Sequence, residues 1–290
     1  MKKIAILTDS SCDIPQDLAE QYGIDILCFP ILLDGVEYLD RESFTPDEFY
    51  KLLRQAEGVP STAAITPLQF CEKYCEYVDK GYTDVVHVPI NRNGSSTYNN
   101  ALMAMDMLRE ERPEHHMKIH LLDPHTYSMM YGWYLCELAR KIRNGGELTP
   151  LIAEFEDAMN RAEIILGAYS LKQMKKSGRI SAAAAVAGEL MGIRPIITLI
   201  DGKTSVANNV RGDDKVVPAM VSLLKKRTEG LGEFDYLVGY TGDRRVNDLV
   251  PLLRKELGRE PKLVFKLGSI IACNTGPDAL AIGYLAKPRE

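Results

Sequence analysis

The stretch DVVHVPINRNGSSTYNNALMAM, residues 84–105, carries the pattern that decides the fold. It opens with a β-branched apolar run, residues 84–90, which is typical of a buried strand. Hydroxyl and amide side chains then crowd residues 91–100, and the apolar residues that follow, 101–105, predict the start of a helix. A buried strand that leads through a polar turn into a helix predicts one βα unit of an α/β fold.

The same alternation runs through the first part of the chain. Residues 3–9 predict a strand, and Asp13 is expected to cap the helix that ends at Gly23. Asp34-Gly35 between two apolar runs predicts a hairpin. Two Thr-Pro segments, at 45–48 and 66–69, have the pattern of a capping box with proline at the first helical position. We therefore expect a doubly wound parallel sheet in an N-terminal domain, residues 1–160.

The second part of the chain, residues 161–290, has a different pattern. Asp201-Gly202 between β-branched runs predicts a hairpin, and three further strands are expected at 234–240, 262–267 and 279–286. Hairpins mixed with crossover helices predict an α+β domain with a mixed sheet. The predicted fold class is thus α/β, with two domains.

Composition excludes several classes of protein. The formal net charge is −5, from 35 basic and 40 acidic residues, so no global field attracts nucleic acid. No apolar run approaches the ~18 residues of a membrane span, and the first apolar run is too short for a signal peptide. The six cysteines show no disulfide rhythm. We expect a cytoplasmic protein with no integral membrane segment.

Four loops are rich in small hydroxyl residues and are expected where a strand meets a helix. They are TDSSCD (8–13), PSTAAITP (60–67), NGSSTYNN (93–100) and CNTGPD (273–278). Helix N-termini at the carboxyl edge of an open α/β sheet favour anions, and hydroxyls add neutral donors. One interpretation is a site for a carboxylate or phosphate bound without a salt bridge. The other is that these residues only cap helices.

An enzyme is the alternative interpretation. The sequence lacks a Gly-x-Ser-x-Gly elbow, a Walker A loop and a Gly-x-Gly-x-x-Gly loop, so no nucleophile or nucleotide site stands out. A lipid- or phosphate-handling enzyme would use Asp9, His125 or Asp278. A ligand-sensing regulator is a third interpretation. The basic residues Arg179 and Arg211 are either solvated or form a docking patch for an acidic partner.

Six segments in chain order resemble the DegV family of bacterial fatty-acid-binding proteins. They are TDSSCDIP, VPSTAAITP, PINRNGSSTYNNA, LLDPHTYSM, KKSGRIS with GIRPIITLIDGK, and NTGPDAL. The resemblance covers essentially the whole chain. It implies an α/β N-terminal domain and an α+β C-terminal domain, with a long-chain fatty acid such as palmitate between them, no cofactor and no catalytic activity.

The resemblance also implies roles for particular residues. Thr62 and Ser95 are expected to donate hydrogen bonds to the carboxylate, with Ser61 and Ser96 nearby. Some members of the family are carriers that present their fatty acid to a fatty-acid kinase for phospholipid synthesis. Such a kinase is therefore an expected partner, and the basic pair named above is its expected docking point.

Three positions depart from the family pattern. The usual His-Thr-Gly-Pro-Gly reads Asn274-Thr275-Gly276-Pro277-Asp278, and Ser96 replaces the glycine of Ser-Gly-Thr-Tyr. Asn274 thus takes the place of a titratable imidazole in the expected head-group site. Asp278 adds a negative charge that would repel a carboxylate if its side chain pointed toward the ligand.

Overall fold

The computed structural model describes residues 2–169, 172–178 and 192–289. The strands are β1 (Ile4–Asp9), β2 (Ile24–Leu27), β3 (Pro30–Leu33), β4 (Val36–Leu39), β5 (Ser61–Thr62), β6 (Asp84–Val88), β7 (Lys118–Leu121), β8 (Ala162–Ala168), β9 (Ile193–Ile200), β10 (Lys203–Arg211), β11 (Tyr236–Tyr240), β12 (Leu263–Lys266) and β13 (Ala279–Leu285). The helices are α1 (Gln16–Tyr22), α2 (Pro46–Gln55), α3 (Pro67–Asp79), α4 (Thr97–Glu111), α5 (Met129–Arg143), α6 (Leu148–Arg161), α7 (Lys172–Ser177), α8 (Val216–Arg227), α9 (Asp243–Leu257) and α10 (Ser269–Thr275). Short 3₁₀ turns lie at Ser10–Cys12 and Asp213–Lys215.

The first sheet is parallel and has the strand order β2-β1-β6-β7. Its two central strands are buried on both faces. Val85 packs into the cluster that contains α3 and α4, whereas Val86 packs into the cluster that contains α1 and α5. Strands buried on both faces read as continuous apolar runs, which is the pattern seen in the sequence. The predicted doubly wound sheet is therefore confirmed.

A small antiparallel sheet, β4-β3-β5, lies beside the first one. The predicted turn at Asp34-Gly35 joins β3 to β4, and both of its residues have positive φ. β5 consists of Ser61 and Thr62, which pair with β3. Both predicted capping boxes are present at the starts of α2 and α3, so the polar loop before α3 is fixed at both ends.

The six-stranded sheet has the order β10-β9-β8-β13-β11-β12. Its strand pairs are antiparallel except for β11 with β12, which confirms the predicted mixed sheet. The predicted turn at Asp201-Gly202 joins β9 to β10. The outer face of the sheet is covered by α8 and α9, and its inner face is turned toward α5 and the N-terminal elements.

Two local predictions are wrong. Asp13 does not cap α1: it ends the 3₁₀ turn with a φ of 55°, and Pro15 directly precedes the helix. CNTGPD does not precede a helix, because its first residues end α10 and its last residues lead into β13. The domain boundary at residue 160 remains a prediction. In the described ranges, no helix combines the length and the apolar character needed to cross a bilayer.

Candidate functional site

A cavity lies between the inner face of the six-stranded sheet and the elements packed against it. Its volume is about 160 Å³, many times the roughly 10–15 Å³ that one buried water needs. Among the described residues, no charged side chain lines it. The floor is formed by inner-face residues of all six strands: Ile164, Leu166, Ile197, Leu199, Thr204, Leu237, Gly239, Phe265, Ala281 and Gly283.

The pairing register of the strands shows how the long axis of the cavity is oriented. One row of paired residues runs Phe265–Gly239–Ala281–Leu166–Ile197. A second row, two residues along, runs Leu237–Gly283–Ile164–Leu199–Thr204. All the described residues that line the floor belong to these two rows. The cavity is therefore narrow along the strands and long across them, from the β10 edge to the β12 edge.

The opposite wall comes from the N-terminal elements and from α10. Phe29 and Ile90 lie on the N-terminal side. Helix α10 follows β12 and contributes Ile270, Ile271 and Asn274, so it runs beside the cavity from an apolar start to a polar end. Asn274 donates its amide to the Ile270 carbonyl at 2.9 Å, which fixes the side chain against the helix.

The polar end of the cavity brings together most of the predicted ligand-binding residues. Thr62, Ser95, Ser96 and Asn274 all line it. Ser61 lies just outside, in an adjoining groove that also contains Thr62, Asn274 and Lys176. The loop before α3 and the loop before α4 thus meet at one place.

The hydroxyl groups at this end differ in their hydrogen bonds. Ser95 Oγ lies 2.8 Å from Thr97 Oγ1 and accepts a bond from the Thr97 amide at 3.3 Å, so Ser95 also supports the start of α4. Within the described part of the chain, no protein group bonds to the Thr62 hydroxyl. Ser128, farther along the wall, donates its hydroxyl to Asp13. The Ser96 hydroxyl makes no cap bond to α4, so Thr62 and Ser96 have the most capacity for a ligand.

The loop before α5 holds an aromatic side chain over the cavity. Tyr127 lines both the cavity and a polar groove outside it. Its hydroxyl occupies the space beside Gly94. A Cβ added at Gly94 would lie 2.4 Å from that oxygen, which is too close for any side chain. His125 and Ser128, on either side, have positive φ angles of 51° and 62°, which are costly for residues other than glycine. Strained backbone of this kind is common at ligand sites.

None of the three residues of the enzyme alternative lines the cavity. Asp9 is fully buried, accepts bonds from the Ile90 and Ser11 amides at 2.6 and 3.1 Å, and burial raises its pKa to about 6. His125 Nδ1 is 3.1 Å from Asp201 Oδ1. Asp278 is exposed and pairs with Arg54 at 3.4 Å, so its charge points away from the cavity.

Of the two predicted partner-binding residues, one is exposed and the other lies outside the described residues. Arg211 ends β10 with an exposed side chain and does not line the cavity. Arg179 lies outside the described residues. Across residues 2–169, 172–178 and 192–289, no group of three or more His, Cys, Asp or Glu side chains could hold a metal ion.

The comparison with known proteins agrees with this architecture. Residues 3–287 match the model of the family described as "Uncharacterised protein, DegV family". The chain belongs to the DegV family. A DegV domain-containing protein of Caldanaerobacter subterraneus subsp. tengcongensis is 29% identical over 288 residues, which are 99% of this chain and 100% of that relative.

Two solved structures have the same fold over nearly the whole chain. One is a DegV family protein from Thermus thermophilus, described as binding fatty acid, with a TM-score of 0.84 and 26% identity over 98% of this chain and 99% of the other. The second is a stearic acid-binding protein from Eubacterium ventriosum, with a TM-score of 0.89 and 23% identity over 99% of both chains.

The sequence does not reveal the larger part of the cavity. Ile164 and Leu166 alternate with residues of the other face of the sheet, which are equally apolar, so the pattern does not tell a packed face from a cavity floor. Tyr127 lies within LLDPHTYSM, a segment that carries the family resemblance but has no local pattern that indicates a cavity-lining side chain. ALAIGY does contain a local signal: small residues at alternate positions, including Ala281 and Gly283, leave space on one face of the strand.

Proposed function

We propose that this protein binds a long-chain fatty acid, with the carboxylate at the polar end of the cavity and the acyl chain along the six-stranded sheet. The observation that carries the proposal is the shape and polarity of the cavity. It is long, the described residues that line it carry no charge, and Thr62 and Ser95 contribute hydroxyl groups to the lining. An amphipathic molecule with one small polar group fits such a site.

The dimensions support a long chain. Strands in a sheet lie about 4.8 Å apart, so the five intervals between β10 and β12 span roughly 24 Å. An extended alkyl chain advances about 1.25 Å per carbon, given a C–C bond of about 1.52 Å and a tetrahedral angle. A chain of about 16 to 18 carbons is therefore 19–21 Å long, on the order of the span of the cavity.

The polar end suits a carboxylate without a paired cation. Thr62 and Ser95 offer neutral hydroxyl donors, and Asn274 retains an amide proton beyond its bond to the helix. Helix α4 starts at Thr97 directly beside them, with the positive end of its dipole. Hydrogen bonds of this kind stabilise the ionised form of a carboxyl group.

The acyl chain would supply most of the affinity. At about 0.8 kcal/mol for each buried methylene, a chain of about 15 methylenes gives roughly 12 kcal/mol before ordering costs. Those costs reduce the net value, so dissociation constants between micromolar and nanomolar are expected. The fatty-acid binding described for the Thermus thermophilus relative supports the same ligand class.

We propose further that the protein is a carrier without catalytic activity of its own, and that it presents its fatty acid to a fatty-acid kinase. Asp9, His125 and Asp278 do not line the cavity, which speaks against the enzyme alternative. The exposed Arg211 is proposed as a contact for the kinase. Arg211→Glu should weaken acyl phosphate formation by the kinase and leave palmitate affinity unchanged, whereas a loss of palmitate affinity would place Arg211 at the head group.

The test of the ligand is direct. Denaturing mass spectrometry of lipid extracted from the purified protein should find a long-chain fatty acid at up to one per chain, and the delipidated protein should bind palmitate. Ala281→Phe fills the cavity floor and should abolish binding. Ala207→Phe, on the exposed side of β10 in the same sheet, is the matched control and should bind normally. A delipidated wild type that binds neither palmitate nor oleate would refute the proposal.

A further inference from the structure

The apolar end of the cavity has a wall of unusual construction. Phe265 belongs to β12, the edge strand, and Leu267 follows it. Both side chains lean over Gly239 on the neighbouring strand. A Cβ added to Gly239 would lie 2.9 Å from Leu267 Cδ2 and 2.9 Å from Phe265 Cζ. Because Gly239 has no side chain, Phe265 and Leu267 can pack directly onto its backbone, and a larger residue there would displace them.

The wall is fixed in place from several sides. The Leu267 amide donates to the Tyr240 carbonyl at 2.9 Å, and the Tyr50 hydroxyl of α2 donates to the Leu267 carbonyl. Leu267 is 2% exposed. Phe265 pairs in register with Gly239 and is half-buried. Among the described strands β12 is the last of the sheet, so none of them extends the floor beyond these residues.

We propose that Phe265 and Leu267, seated over Gly239, form the end wall that sets the longest acyl chain the protein accepts. The proposal rests on the proposed fatty-acid function. Gly94, next to Ser95, shares a groove with Lys203 and Thr204 of β10. The polar loop therefore lies at the opposite edge of the sheet, and the terminal methyl of a bound chain points toward β12. A longer chain must then displace a fixed wall or lift its carboxylate from Thr62.

Gly283 provides a contrast within the same cavity. It lies on β13, in the middle of the sheet, and a Cβ there would meet Met130 Sδ at 2.8 Å. Alanine at Gly283 would thus push a side chain into the flank of the cavity. Alanine at Gly239 would push side chains into its end. The two substitutions add the same atom and differ only in position along the ligand.

The experiment measures dissociation constants of saturated fatty acids from 12 to 20 carbons for delipidated protein. In the wild type, affinity should rise about fourfold for each methylene and then stop rising at a defined length. Phe265→Ala should move that limit to longer chains by two carbons or more, and Phe265→Leu by less. Gly239→Ala should move it to shorter chains. Gly283→Ala should weaken all lengths by a similar factor and leave the limit unchanged.

The outcomes separate the two proposals. Thermal unfolding establishes that each variant is folded, and the Phe265 variants decide the question if Gly239→Ala does not fold. Folded Phe265→Ala with the same length limit as the wild type would overturn the end wall, while leaving fatty-acid binding intact. A wild type that binds no chain of any length would overturn the proposed function itself.

Discussion

The two faces of the six-stranded sheet are both apolar, but one packs against helices and the other borders the cavity. On the outer face, Ile165 and its neighbours pack against two long helices, α8 and α9, and Met220 occupies the space beside Gly167. On the inner face, Ile164 and Leu166 are just as apolar, but the helices opposite do not close onto them. The start of α5, the short helix α10 and several loops leave the cavity between.

The difference shows that apolar surface can either stabilise a fold or hold a ligand. Helices α8 and α9 bury the outer face, so its contribution to the free energy of unfolding is already realised. The inner face borders a cavity, so under the proposed function part of its burial is gained only when a ligand binds. A substitution on the outer face should therefore change stability, and one on the inner face should change binding.

The largest effect is expected on the outer face. Leu224 of α8 is fully buried, so Leu224→Ala should lower the free energy of unfolding by about 3 kcal/mol through lost burial and a new cavity. Leu166→Ala, on the inner face, should cost less because that side chain already borders a cavity, but it should weaken palmitate binding. Denaturant unfolding and palmitate titration of both variants make the comparison. Equal losses of stability would contradict it.

Ligand removal should have a slightly smaller effect. A ligand that binds only the folded state stabilises it by about 2.7 kcal/mol at a free concentration of 100 times the dissociation constant. Loaded protein should therefore unfold at a higher temperature than delipidated protein. Palmitate should give no such shift in Ala281→Phe, whose cavity floor is filled. An equal shift in that variant would show that palmitate acts somewhere other than on the inner face.

The head-group residues test the polar end. Thr62→Ala should weaken palmitate binding by about 1–3 kcal/mol, the value of a hydrogen bond to a charged group, with little loss of stability. Ser95→Ala should weaken binding too and should also lower stability by about 1 kcal/mol, because Ser95 Oγ accepts the Thr97 amide at the start of α4. Calorimetric titration and thermal unfolding separate the two effects. Unchanged palmitate affinity in both variants would move the head group elsewhere.

The smallest effect concerns Asn274. An asparagine does not titrate, so palmitate affinity of the wild type should be nearly flat between about pH 6 and 8. Asn274→His introduces an imidazole with an ordinary pKa near 6.5, whose protonated form attracts the carboxylate. Binding should then become tighter on the acidic side by roughly 1 kcal/mol or less. Identical flat profiles would show that position 274 is structural, and a sloping wild-type profile would make His125 the next residue to replace.

Local signals in the sequence predict much of the fold. The hairpins at Asp34-Gly35 and Asp201-Gly202 form because those pairs accept positive φ, and both capping boxes form because their partners are three residues apart. Helix α10 escapes prediction because it has 7 residues, too few to form without the tertiary contacts that hold it. Asp13 fails as a cap because its carboxylate takes a bond from Ser128, a residue far away in sequence.

Part of the candidate site can likewise be predicted from local signals in the sequence, and part cannot. The loop that contains Ser95 stands out in the sequence because it holds more hydroxyl and amide groups than one cap needs. Thr62 is implied by the family resemblance, and both residues line the same cavity in the structure. Their role in binding stays a prediction. The cavity floor and Tyr127 do not stand out, because they depend on which faces of distant elements fail to pack. Such gaps arise from tertiary structure and leave no local pattern.

The walls of the cavity come from positions as far apart in the chain as Phe29 and Gly283. Contacts between such distant segments close long loops and form slowly. A fatty acid that requires all of these walls gains little in a transition state where they are incomplete. Bound cargo should therefore slow unfolding and leave the folding rate unchanged. The ligand would thus increase kinetic stability. Where unfolded chains are removed by proteolysis, the ligand-bound protein should have a longer half-life than the empty protein.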